Sequence, residues 1–512
     1  MGVEMAGDAW QTEVSSSDSG DQREAVEMKK EIGILQAVSI IFGVIVGSGI
    51  FVSPVGVLRY SNSVGLSLIM WIVPGLFSML GALVYAELGV RIQKSGGEYA
   101  YILEAFGGLP AFIVMWITFV VIGGVSCAAN SIVFAEYILQ PIYPNCAIPT
   151  PVVSMIALCG LSKWESIISS AFSADLCDKL LQGFGLYYLA TDNILLYPFW
   201  DFLLGHVESF HNAFEGSNTS PGYLALAFYQ GFWAFSGWNY LNFLVEEMEN
   251  PGRNLPLAIA IGLALVTGLY MLTNIAYLAV LTPYEMLATG SGSSAIAVVF
   301  AERAMPWISV LMPIFVGASV FGSINGEAMS MSRLTYTGAR EGHMPSILAM
   351  IHHCNFTPIP AILVLLVLAV GYQFYSNLFA LIELAGFAFS FIAALAVASL
   401  LYMRYKEPNL RTSFQMPIFF PVLFLACDLF ILVLTIYQQP HESLSNVILM
   451  LAAVPIYWLG VSWKKKPKRI QGFIYKSTIF LQKVFACVPV ENESQLDGPV
   501  SSGKAERQVE KF

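Results

Sequence analysis

Two stretches of the 512-residue chain set glycines among apolar residues in a way that breaks a helix and turns its backbone toward a ligand. The first reads Gly43-Val44-Ile45-Val46-Gly47-Ser48-Gly49-Ile50-Phe51, and the second Gly231-Phe232-Trp233-Ala234-Phe235-Ser236-Gly237-Trp238-Asn239. Glycine is the weakest ordinary helix former after proline and frees backbone groups to face a ligand. The amino end of a half-helix offers N–H groups and a positive dipole end, which suit a carboxylate. The carboxyl end offers carbonyls, which suit an ammonium. A free α-amino acid carries both groups. The same glycines would also serve close helix packing, because small residues let two backbones approach, and the sequence leaves both readings open.

The elements that carry these breaks are membrane spans. Of the residues 56% are hydrophobic and only 12% charged, against about 25% charged in a soluble protein. Mean hydropathy is +0.66. That balance excludes a disordered chain, a collagen and a stack of soluble domains. The net charge of −10 points away from nucleic acid, and seven cysteines do not make a disulfide scaffold. Apolar runs fall near 33–58, 64–86, 109–138, 222–246, 254–281, 305–332, 358–375, 377–403, 415–438 and 445–463. Two more spans are expected in 150–209, although Lys163, Glu165, Asp175, Asp178, Lys179, Asp192 and Asp201 interrupt that segment. A charge at a helix centre costs about 2.5–3.5 kcal/mol on the insertion scale.

Basic residues set the orientation. With twelve spans and both ends in the cytosol, the inner segments hold Arg91, Lys94, Arg253, Arg333, Arg340, Arg404, Lys406 and the Lys464–Arg469 cluster. The outer loops hold only Arg59 and Arg303, as the positive-inside rule requires. Residues 1–30 read as an acidic, disordered cytosolic tail, with seven acids and one base in the first 28 positions. Residues 31–463 read as the membrane domain, with 150–209 atypical, and 464–512 as a basic, amphipathic cytosolic tail. Interrupted spans at matching places in two halves are the best sequence pointer to a transporter site. Here the breaks fall in the first and sixth spans. No zinc-protease or nucleophile-elbow motif appears and no channel filter is present, so an enzyme and a channel are disfavoured and no metal or cofactor is expected.

The chain resembles the light chains of heteromeric amino-acid transporters, within the amino acid–polyamine–organocation superfamily. The resemblance runs through Gly47–Pro54, Tyr85–Gly89, Lys94–Tyr99, Gly237–Phe243, Glu246-Glu247, Asn254–Ala258, Ser332-Arg333, Arg340–His343 and Arg404–Lys406. It implies an all-α polytopic membrane protein of LeuT type, with two inverted five-span repeats and two extra C-terminal spans, about twelve in all. It also implies sodium-independent amino-acid exchange at the plasma membrane. Carried over by position, the backbone N–H groups of Ser48 and Gly49 would hold the substrate carboxylate. Carbonyls of Ile45, Trp233 and Ser236 would take its amine, and the Trp233 ring would gate the site. A packing or lipid-facing aromatic is the alternative for Trp233, and its place next to the break favours the gate.

Three positions bear on selectivity. Ser236 is neutral where a basic-selective light chain has aspartate, Gly123 is neutral where relatives place a charge, and Phe389 stands where polar residues often occur. A charged substrate side chain needs a partner in such a site, so neutral, large or aromatic amino acids are expected. Phe389 facing lipid is the alternative. Cys146, in Pro144-Asn145-Cys146-Ala147-Ile148-Pro149, falls in an expected outer loop and matches the family cysteine that bonds a single-span glycoprotein heavy chain. Lys179 would be the family lysine that replaces a sodium ion. Residues 150–209 depart from the family text, as a divergent pair of spans or an altered coding segment. Two further readings therefore stay open: a transport-inactive light chain, or a basic/neutral or cystine exchanger.

Overall fold

A computed structural model describes residues 32–92, 96–143, 149, 151–157, 208–289, 295–307, 309–352, 359–374, 377–409, 412–463, 467–485 and 487–488. Six helices among them are long and apolar enough to cross a bilayer: Val64–Arg91, Gly108–Leu139, Pro251–Val280, Leu378–Lys406, Phe419–Gln438 and Pro440–Ser462. A seventh crossing is a bent pair, Ile34–Ile45 and Gly49–Ser61, with a 54° change of direction. Helices Pro221–Ala234, Met312–Arg340 and Ile359–Gln373 occupy three more of the expected apolar runs. The chain is thus an all-helical, multi-pass membrane protein. Of the 150–209 segment, only a helical stretch at 151–157 and the Glu208–Phe210 turn are described. The two spans expected there lie outside the described residues, as do the tails before Ile32 and after Val488.

Burial sorts these helices into a core and a periphery. In Gly108–Leu139, 72% of the most apolar window is buried inside the protein, against 22% in Phe419–Gln438 and 11% in Pro440–Ser462. The last two keep large apolar side chains such as Phe430, Val433, Leu444 and Ile448 on the outside. In water that surface would be costly, whereas in a bilayer it faces acyl chains. The core is built where Gly49–Ser61 packs on Pro221–Ala234, Val64–Arg91 on Pro251–Val280, and Met312–Arg340 on the second half of Gly108–Leu139.

At one end of the bundle a buried ion pair fastens three segments. The Arg404 Nε donates to Glu87 Oε1 at 2.8 Å, and a second Arg404 nitrogen bonds the other carboxylate oxygen. The Met416 N–H donates to Glu87 Oε2 at 2.9 Å, while Arg404 also reaches the Met416 carbonyl at 2.6 Å. Glu87 and Arg404 both belong to blocks that carry the family resemblance. Their burial is tolerable because pairing and added hydrogen bonds satisfy both charges. At the opposite end, Glu285 is bound by Arg303 and by the Thr282 hydroxyl. The Arg303 hydrogen bond first, then those of Thr282, hold the Glu285 carboxyl down at about 2.

The C-terminal segment is also helical, from Lys468 to Phe485. Just beyond it, two residues pair antiparallel with the Ile351–His352 strand, Ile351 opposite Val488 and His352 opposite Cys487.

Candidate substrate site

Both glycine stretches interrupt their helices. Ile34–Ile45 stops, Val46, Gly47 and Ser48 are non-helical, and Gly49 starts the next helix. Pro221–Ala234 stops, residues 235–239 form turns, and a 3-10 stretch begins at Tyr240. Gly237 takes φ +101°, a conformation L side chains rarely adopt. A Cβ there would also meet the Val44 side chain of the first break.

The two breaks touch. A Cβ built on Gly49 would collide with the Ala234 backbone and lie 2.9 Å from the Ala234 Cβ. Gly49 is therefore needed for close approach, and the packing and ligand readings of these glycines meet in one place. One side chain ties the ends together. The Tyr270 hydroxyl lies 2.9 Å from the Ile45 carbonyl and 2.9 Å from the Ala234 carbonyl, the last helical residue on each side. Its ring packs edge-on to Trp71 and Phe235. The Ser48 hydroxyl donates to Asn130 Oδ1 at 2.5 Å, anchoring the first break to Gly108–Leu139.

These bonds bear on the expected roles. As a helix start, Gly49 has no intrahelical acceptor for its N–H, and neither has Ile50, whereas the Phe51 N–H donates to the Ser48 carbonyl at 3.1 Å. This leaves N–H donors at the break, where Ser48 and Gly49 stand. The Ile45 carbonyl is already engaged, by Tyr270 and by the Gly47 N–H at 2.8 Å. The Trp233 carbonyl accepts the Ser236 N–H at 3.0 Å. Both carbonyls expected to take an amine thus hold internal partners in this arrangement.

A cavity opens beside the second break. Trp233, Ser236 and Phe389 line it, with Ile122, Ser126 and Trp238. Phe389 stands against protein rather than lipid, its ring 5.6 Å from those of Phe232 and Trp238. No basic or acidic residue is in the lining. Gly123 is not in it either: a Cβ there would meet Leu365 and Met331 at 3.1 Å. Ile122 and Ser126 both line the cavity, while Gly123 is turned away from it, onto Leu365 and Met331. The change from π to α geometry at Gly123-Gly124 sits at this spot, and such bulges often mark functional sites.

Behind the lining lies an acid that the sequence did not single out. The Ser126 hydroxyl donates to Glu327 Oε2 at 2.5 Å, and Glu327 is only 6% exposed. A second carboxyl, Glu383, accepts from Tyr60 at 2.5 Å and from Gln230 at 3.2 Å, joining the helices that carry the breaks to Leu378–Lys406. Cys146 and Lys179 lie outside the described residues.

The amino acid permease family pattern matches residues 32–461. The human cystine/glutamate transporter is 40% identical over 472 residues, which is 92% of this chain and 93% of that protein. The human Asc-type amino acid transporter 1 is 41% identical over 484 residues, 93% of this chain and 91% of that one. The human large neutral amino acids transporter small subunit 2 is 39% identical over 492 residues, 94% and 89% of the two chains.

Proposed function

Because the chain belongs to the amino acid permease family, we propose that it exchanges neutral, large or aromatic amino acids across the plasma membrane without sodium. One observation carries this reading: two broken helices meet at Gly49 and Ala234, beside a cavity whose lining holds no charged side chain. Helix-start N–H groups at Ser48, Gly49 and Ile50 receive the substrate carboxylate. The ammonium needs carbonyls, and those of Ile45 and Trp233 become available only if their internal bonds exchange on binding. The Ser236 carbonyl completes that set. Trp233 closes over the side chain, which rests against Phe389 and Trp238. Apolar contact there gains about 25 cal/mol per Å² removed from water. A glutamate or cystine carboxylate would meet no cation in the lining. This separates the cavity from the activity named for the cystine/glutamate relative, despite its 40% identity.

The reading includes a twelve-span layout in two inverted five-span repeats plus two spans. Both termini lie in the cytosol, and Lys179 stands between the repeats where a sodium ion would otherwise sit. The domain limits 1–30, 31–463 and 464–512 belong to it too. Counterflow of labelled leucine and phenylalanine into liposomes tests the exchange itself.

A relative is named a small subunit, and this chain is proposed to work as one too, bonded through Cys146 to a single-span glycoprotein. The support is a cysteine in a loop that the positive-inside rule puts outside, where disulfides persist. On non-reducing gels the wild type is expected to run in a high-mass band that collapses on reduction, and Cys146→Ser to lack it. A band unchanged in Cys146→Ser would assign the link to another residue.

A further inference from the structure

The lining of the cavity is uncharged, but its wall is one side chain thick at Ser126. Ser126 lines the cavity, and its hydroxyl gives its proton to Glu327 Oε2 at 2.5 Å. Its lone pairs remain free to accept. Glu327 is buried, and among the described residues no Lys or Arg pairs with it; the ion pairs formed there are Arg91–Glu407, Arg303–Glu285 and Arg404–Glu87. A buried carboxylate without a cation beside it is costly, whereas a hydrogen-bonded pair is tolerated.

The geometry points to a cation as the missing partner, delivered by the substrate. We propose that Glu327 is a specificity-determining residue that lets this cavity accept amino acids whose side chain ends in an ammonium or guanidinium, besides neutral ones, and reject acidic ones. The cationic N–H donates to the Ser126 oxygen, and the Ser126 hydroxyl donates onward to Glu327. Both are charge-assisted bonds in a water-poor site, where they are strong. An acidic side chain would bring no cation to Glu327 and would find none in the lining. The inference rests on the assignment of this cavity as the substrate site and adds cationic amino acids to its substrate class.

Binding to the purified full-length protein tests it without depending on transport. Arginine and citrulline have nearly the same shape, but only arginine is charged. Arginine is expected to stabilise the protein against heat at concentrations at least roughly tenfold lower than citrulline, since a charge-assisted bond is about twice as strong as a neutral one. Glutamate should have no effect. Glu327→Gln keeps an acceptor for Ser126 and removes the charge, so it should erase the arginine–citrulline difference. Glu327→Asp should retain it. Citrulline binding as tightly as arginine in the wild type, or a Gln variant that still separates them, would overturn the proposal. Leucine, measured alongside, reports on the functional reading: arginine binding without leucine binding would sink the neutral reading and leave the role of Glu327 intact.

Discussion

Gly49→Ala is expected to lose at least roughly tenfold of leucine uptake per molecule at the cell surface, from the addition of one methyl group. The added carbon would collide with the Ala234 backbone and come within 2.9 Å of its Cβ. A neighbouring side chain can rotate away from such an intrusion, but a backbone at the end of a helix must move as a unit. Overpacking of this kind costs about 1–3 kcal/mol, and here it would separate the two ends that form the site. Larger residues, valine among them, should do worse. Gly43→Ala is the matched control, since nothing lies within 4 Å of a Cβ there. Surface biotinylation with labelled leucine uptake gives the comparison. Wild-type uptake by Gly49→Ala would mean that the contact of the two breaks is not needed.

Tyr270→Phe should cause the second large loss. The ring would keep its place beside Trp71 and Phe235, so folding should survive. The hydroxyl that bridges the Ile45 and Ala234 carbonyls would be gone. The hydroxyl has one hydrogen to share between the two carbonyls, so its loss removes about 1 kcal/mol net. At 1.4 kcal/mol per decade that is roughly a fivefold shift away from the aligned pair of helix ends. Uptake is expected to fall by about that factor at constant surface level. Full activity in Tyr270→Phe would show that the breaks are held by their own chains and that Tyr270 only packs.

The breaks could be read from the sequence because their cause is local. Glycines at 43, 47, 49, 231 and 237 weaken the helix where they stand, and the helices do end at Ile45 and Ala234. Apolar length and basic flanks located the described spans for a similar reason, since both are properties of a continuous segment. The partners that hold the breaks carry no such mark. Ser48 meets Asn130 from 82 positions away, Tyr270 meets Ile45 from 225, and Ser126 meets Glu327 from 201. Only the packing of distant helices brings them together. Gly123 illustrates a different failure. It stands next to a cavity residue in the chain, yet one step along the helix turns it away, onto Leu365 and Met331. The uncharged lining was legible at Ser236 and Phe389, while the acid behind Ser126 was not.

The two helix breaks are proposed to bind one amino acid and pass it across the membrane in exchange for another. Counterflow in liposomes reads this most directly. The purified protein is reconstituted in sodium-free buffer, the vesicles are loaded with unlabelled leucine, and labelled phenylalanine is supplied outside at low concentration. Labelled phenylalanine should accumulate transiently above its outside concentration, and vesicles loaded with glutamate should accumulate none. No accumulation from leucine-loaded vesicles, with correctly inserted protein in the membrane, would contradict the account.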